Sequence, residues 1–353
     1  KHWRTHKMSQ TKVEAPFVQN NANFRNLFIN GDMSIAQRGT STSSVSSGTT
    51  FPCCDRWKFQ LSSAGTWTVS QSTTVPTGEG FANSFKLDCT SANGSLSGNE
   101  YLFLRQEVEG QFLQQLKKGT SSAEKTTLSF WVRSNVTGTY IVEFDDNDNS
   151  RNINKAYTID AADTWEKKSI VFEGDTTGAF GNDNGSSARI FWWLAAGTNW
   201  TSGTLATSWE STNNADRAVG QVNLASSTDN EWYITGVQWE VGDTATDFEH
   251  LPHDVQFHRC QRYFQIIRHA YRVVARWNNT SGTPLCHMDF MQTMNHAPTI
   301  SNSGTYDSSS GYAGSVHYGS TNSNGTYVGG SGSVGTSEVV YANGGYAEMD
   351  AEM

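Results

Sequence analysis

Four tryptophans, Trp131, Trp193, Trp200 and Trp209, are the residues of this sequence best suited to holding a ligand. A pyranose ring offers an apolar C–H face that packs on a flat indole, and nearby amides and charges then read its hydroxyls. Arg133 stands two residues from Trp131. A strand would hold both on one face, opposite Leu128, Phe130 and Val132. The bland alternative is that an outer Trp, being amphipathic, packs under a loop or at a subunit interface.

Other clusters are weaker. Asp145-Asp-Asn-Asp-Asn149 gathers three carboxylates and two amides, the ligand types of Ca²⁺. An EF-hand loop begun at Asp145 or Asp146 would need Gly at its middle and Glu at its end. Ser150 or Arg151, and Ala156 or Tyr157, stand there instead. Following the strand Tyr140–Phe144, the cluster reads as a solvated turn. His250, His253, His258 and Cys260 crowd together, and Cys286, His287 and His296 follow, but the spacing matches no finger or zincin. One His per chain on a trimer axis is the remaining metal arrangement. No Gly-x-Ser-x-Gly, His-Glu-x-x-His or phosphate-binding loop is present. Glycoside hydrolysis needs only two carboxylates, and Glu107, Glu109, Glu143 and Asp145 carry no pairing signal. The reading is a non-enzyme without a cofactor.

The elements that would position these residues are short strands. The chain has 353 residues, 17% of them charged, with 12 Trp and 32 Gly. Such neutral-polar, aromatic, glycine-rich composition suits strands and turns. The net charge of −9 comes with no basic face, which excludes nucleic acid as a main partner. No apolar run reaches membrane-spanning length, so no membrane insertion is expected. Five Cys, two of them adjacent, form no disulfide pattern and read as reduced, buried thiols of a protein made in a cytoplasm.

Residues 1–23 lack a period and read as an arm; Met8 offers a start, so 1–7 read as an extension. From 24 to 250 the pattern predicts a β-sandwich. Within it, 127–144 reads as a hairpin, and Arg189–Leu194 as a central strand covered on both faces. Glu231–Val241 reads as a long strand with Gly236 at a bulge or close approach. Leu102–Lys118 and His253–Phe264 are the helical candidates. Residues 251–353 read as a smaller C-terminal β domain. Its tyrosines, at 306, 312, 318, 327, 341 and 346, are spaced to pack against a partner copy.

NLFINGDMSIAQRG (26–39), CCDRW (53–57), TLSFWVRSNVTGTY, YTIDAADTWEKKSIVFEGDTTG, GVQWEVGDTATDFEH, RCQRYFQ and the terminal YAEMDAEM form an ordered series. The series resembles the carbohydrate-binding-module-like jelly rolls of bacteriophage tail-fibre and other virion structural proteins, especially of marine phages. The resemblance covers about 24–353. It implies a virion location, a homotrimeric fibre or tip, other virion proteins as partners, and host-surface glycan as ligand. Trp131 and Arg133 would lie on the face such modules often use. It also implies a possible structural Ca²⁺ near the first and last strands, with Asp32 and Asp247 as ligands. A purely structural decoration protein and a glycan depolymerase are the alternatives. Within the opening run, Asn26–Ala36 is expected to be the first strand of the jelly roll, bent at Asn30-Gly31. Gln37-Arg38-Gly39 would then lead into a Ser/Thr-rich loop, and the polar residues would act as structural pins.

Overall fold

The computed structural model describes residues 24–268, 275–276, 285–308, 313–319, 323–330 and 339–353. The expected arm at 1–23 lies outside them, as do the side chains of Cys286, His287 and the C-terminal tyrosines. Strands are numbered in chain order. The first eleven are β1 (Ser41–Thr50), β2 (Lys58–Ser72), β3 (Ser84–Ser91), β4 (Tyr101–Glu109), β5 (Thr126–Ser134), β6 (Gly138–Asp146), β7 (Arg151–Ile159), β8 (Glu166–Phe172), β9 (Ser186–Ala196), β10 (Glu210–Ser211) and β11 (Glu231–Val241). All pair antiparallel in one continuous sheet, in the order β10-β7-β6-β9-β4-β2-β3-β11-β5-β8, with β1 on β2.

β2 turns that sheet into a sandwich. Its first half pairs with β4, Phe59 opposite Leu104, and its second half with β3, Trp67 opposite Cys89. Between them the register slips at Ser62/Ser63, and Gly65 adopts φ +82°. A Cβ at Gly65 would lie 2.6 Å from the Ser91 carbonyl oxygen, so only glycine lets the strand change layers here. One layer is then β7-β6-β9-β4 and the other β3-β11-β5-β8. Their inner faces meet through aromatic rings: Phe130 on Trp192 at 5.8 Å, Phe144 on Trp239 at 5.0 Å, and Trp57 on Trp192 at 5.5 Å. The fold is all-β, a jelly-roll sandwich, with alternation placing Leu128, Phe130 and Val132 in the core.

Several expectations need correction. β5 and β6 are not a hairpin: β5 pairs with β11 and β8, whereas β6 pairs with β7 and β9, and 135–137 carries the chain between layers. Residues 102–118 are strand β4 followed by two single 3-10 turns, Gly110–Phe112 and Gln114–Leu116. The alternation Leu102, Leu104, Gln106, Val108 governs the segment, each of these facing inward. Residues 26–36 form no strand. The Asn26 and Asn30 amides serve the backbone instead: Asn30 Nδ2 donates to the Ile35 and Asp55 carbonyls and Asn26 Nδ2 to that of Val237. The Ser/Thr-rich stretch expected as a loop is β1 itself. Asp145 and Asp146 are not solvated: they are buried and paired with Arg189 and Lys118. The central position of β9 and the bulge at Gly236 are as read.

Beyond residue 250, α2 (His253–Gln261) is preceded in the chain by the single-turn α1 (Thr198–Thr201). It leads into β12 (Phe264–Arg268), β13 (Ala275–Arg276), β14 (Leu285–Asp289), β15 (Thr299–Ser308), β16 (Ala313–Gly319), β17 (Gly325–Gly330) and β18 (Val339–Asp350). These pair in the order β12-β18-β15-β16-β17-β14, with β13 on β18.

Charge fastens this unit to the sandwich. Arg38 pairs with Asp350 (3.1 Å) and Glu352 (3.4 Å), and Arg56 pairs with Glu352 inside the protein. Lys58 Nζ donates to the Met353 carbonyl at 2.6 Å. Arg262 holds Glu109 with two hydrogen bonds of 2.7 Å, and the Tyr263 hydroxyl donates to the same carboxylate. Burial pushes Glu109 upward, but these bonds outweigh it and hold it below the usual carboxylate range. Gln37 and Arg38 are therefore structural pins across this seam, Gln37 Nε2 reaching the Phe264 carbonyl at 2.9 Å.

Candidate functional site

Trp131 lies on the outer face of β5, back to back with the core residues Phe130 and Val132. Pairing sets its neighbours: Thr235 of β11 on one side and Lys167 of β8 on the other. Two loops rise over this face and enclose a cleft of about 340 Å³. Its lining includes Trp131, Phe81, Phe248, Lys167, Glu79 and Asp247.

The sequence builds each wall. One loop, around Gly78–Phe81, is tied down where the Thr235 hydroxyl donates to the Asn83 carbonyl at 2.7 Å. Phe81 rests on Gly236, whose φ of +60° and absent side chain make room: a Cβ there would lie 2.6 Å from the ring. The other loop, 242–250, is held by two outward polar residues of β11. Glu240 accepts from the Thr246 amide (2.9 Å) and hydroxyl (2.8 Å), and Gln238 accepts from the Glu249 amide (2.8 Å). Phe81, Phe248 and His250 then form an aromatic wall with centroids 4.9 to 5.4 Å apart. Lys167 and the carboxylates of Glu79 and Asp247 are exposed, and among the described residues none has an ion-pair partner. A flat indole, an aromatic wall, one free cation and two free carboxylates suit a polyhydroxylated ligand. The rings take an apolar face, and the charged groups donate to or accept from hydroxyls.

The remaining candidates are placed otherwise. Arg133 shares the outer face but is committed: it pairs with Asp163 at 2.8 Å and lies over the Tyr233 ring at 4.9 Å. Trp193 is 0% exposed, its indole N–H donating to Glu143 at 2.8 Å, so it offers no face to a ligand. The segment 197–224 covers it, with Trp200 packed on it at 5.5 Å. Trp209 packs edge-on against Phe144 at 4.8 Å and donates to the Glu173 carbonyl. Their residue type alone made Trp193, Trp200 and Trp209 candidates; the sequence pattern read Arg189–Leu194 as covered on both faces, and the segment 197–224 supplies the cover over Trp193. Asp32 is taken up by the Ser34 amide and hydroxyl, and Asp247 lies on the cleft wall. No group of three His, Cys, Asp or Glu among the described residues is placed to hold a metal ion. The four carboxylates available for hydrolysis each sit in an ion pair: Glu107 with Lys58 and Arg105, Glu109 with Arg262, Glu143 with Arg217, and Asp145 with Arg189. Cys53, Cys54, Cys89 and Cys260 are buried free thiols.

Sequence reasoning passed over Phe81, Phe248, Glu79 and Lys167, and weighed His250 only as a metal ligand. The one signal was Gly236, whose close approach is to Phe81.

The chain matches no protein-family model and no curated protein. Among solved structures it is similar to the enzymatically active domain of tailspike protein 4 of bacteriophage CBA120. The identity is 16% and the TM-score 0.32, over 62% of this chain and 21% of that one. This chain therefore spans about a fifth of the tailspike domain. It is also similar to a family 4 carbohydrate-binding module (10% identity, TM-score 0.30, 60% of this chain and 97% of the module). A family 61 carbohydrate-binding module, solved with β-1,4-galactotriose, is 11% identical with TM-score 0.30, over 62% and 99% of the two chains. Likeness of this order assigns neither ligand nor activity.

Proposed function

We propose that this protein binds glycan without catalysis at the Trp131 cleft and serves as a homotrimeric fibre or tail-tip adhesin of a phage virion. The observation that carries the binding reading is the cleft itself. An outward indole lies beside the uncommitted ammonium of Lys167, and the carboxylates of Glu79 and Asp247 stand in the same lining. The virion location rests on the ordered series of sequence motifs. Shallow stacking with a few hydrogen bonds is weak per site, and three copies on one fibre raise the effective concentration of the second and third sites.

The test is a host-polysaccharide and glycan-array binding measurement with the wild-type chain and Trp131→Ala, both first shown by light scattering to have the mass of three chains. Trp131 is outside the core, so the fold is expected to persist. Affinity is expected to fall tenfold or more, the loss of one stacking contact of about 1.5 kcal/mol with its buried area. Equal binding by both proteins removes the cleft from the reading. A blank array with intact trimer favours a purely structural virion protein. Release of reducing sugar from host polysaccharide would replace adhesion by hydrolysis, with Glu79 and Asp247 as the carboxylates to test.

A further inference from the structure

A second cavity adjoins the charged seam, sharing Glu107, Arg262 and Tyr263 with it. It measures about 400 Å³ and sits between the sandwich edge and α2. Leu27, Ile29 and Val108 line it, together with Phe24 and Phe112, which are 56% and 45% exposed. Three charged side chains reach it, and two are spoken for: Glu107 by Lys58 and Arg105, and Arg262 by Glu109. The third, Arg259, forms no ion pair and no hydrogen bond among the described residues, and its Nη1 is enclosed. Burial lowers its pKa. The neighbouring acid, Glu249, is engaged by the Phe24 and Asn26 amides at 2.7 and 3.1 Å. Every other arginine whose side chain is described has a carboxylate partner.

A half-buried guanidinium with one enclosed nitrogen and no counter-ion among the described residues is costly in a folded protein. Its planar fork matches a carboxylate with two parallel hydrogen bonds. We propose that this cavity binds a carboxylate carried on an apolar body, Arg259 holding the carboxylate and Phe24, Leu27, Val108 and Phe112 covering the rest. The size suits a small ligand whose surface is mainly apolar. The same chemistry is offered by a free medium-chain acid and by the free C-terminus of a peptide ending in an apolar residue.

Calorimetric titration of the full chain separates the two sources. The probes are octanoate and acetyl-Leu-Phe acid, with octanol and acetyl-Leu-Phe amide as their neutral counterparts. At least one acid is expected to bind saturably, about tenfold tighter than its neutral counterpart, as a charge-assisted pair would give; the acid that does so identifies the source. Arg259→Gln is expected to abolish that preference while melting no lower than the wild type, because it removes an unpaired charge. Phe112→Ala, a truncation of an exposed ring, is expected to weaken acid and neutral probes alike, several-fold. Absence of saturable binding by both acids overturns the proposal, and so does an acid preference that survives Arg259→Gln.

Discussion

Asp55 is a carboxylate wholly removed from water. Burial pushes its pKa up to about 6, against the pull of Arg38 and of two hydrogen bonds from Gln37. Its unfolded value is near 3.9. Between these values the folded protein keeps a proton that the unfolded chain has lost. Stability from this group is therefore complete below about pH 4 and falls as pH rises to about 6. The size of the effect is about 2–3 kcal/mol. Glu107 and Glu109, whose pKa values are lowered, slope the other way, so the comparison must be between proteins. Asp55→Asn keeps the shape and removes the titration. The difference in urea-derived stability between wild type and Asp55→Asn is expected to shift by about 2 kcal/mol from pH 4 to pH 7, against the wild type. A difference that stays flat over that range would mean Asp55 is ionised normally in the fold. Nothing in CCDRW signals this burial: Asp55 is bonded by Gln37, and Gln37 is itself fixed on the Phe264 carbonyl, far along the chain.

At the scale of elements, period-two alternation carried most of the reading. Alternation reports which face a residue occupies, and it placed Trp131 outward and Phe130 inward correctly. It does not report pairing partners. The three-residue link between β5 and β6 therefore looked like a hairpin when it spans the sandwich. A run apolar on both faces marked the strand of Trp193 as covered twice, but not the segment 197–224 that does the covering. Loop placement was legible at one residue, Gly236, where backbone conformation and space both demand glycine. Gly236→Ala would put a Cβ into the Phe81 ring and an alanine at positive φ. The expected cost is about 2 kcal/mol in thermal or urea stability, with weaker glycan binding as Phe81 leaves the wall. In a Phe81→Ala background the same substitution should cost only the backbone share, about 1 kcal/mol. Equal costs in both backgrounds would show that the ring does not press on β11.

For the whole molecule, the motifs at the two ends of the series, the opening run and CCDRW with RCQRYFQ and YAEMDAEM, converge on one place. Asn30 organises the opening run, Gln37 and Arg38 reach Phe264 and Asp350, Arg56 and Lys58 reach Glu352 and Met353, and Arg262 and Tyr263 reach Glu109. Arg56 also donates to the Glu107 carbonyl at 2.7 Å and lies 3.4 Å over the Tyr263 ring. These residues spend their chemistry on joining the two units, whereas the motifs at 127–140, 157–178 and 236–250 supply Trp131, Lys167, Asp247, Phe248 and His250 to the cleft. A seam of buried charge is a poor source of stability compared with apolar packing, but breaking it from one side is expensive. Glu352→Gln leaves Arg56 as a buried cation without a counter-ion, at an expected cost of about 3–5 kcal/mol. That cost falls on the joint and leaves both cores intact. Wild type is therefore expected to melt in a single calorimetric transition. Glu352→Gln should melt in two, the unit formed by α2 and β12–β18 first and the sandwich near its original temperature. A variant that still melts in one transition at the wild-type temperature would show that the seam does not couple the units.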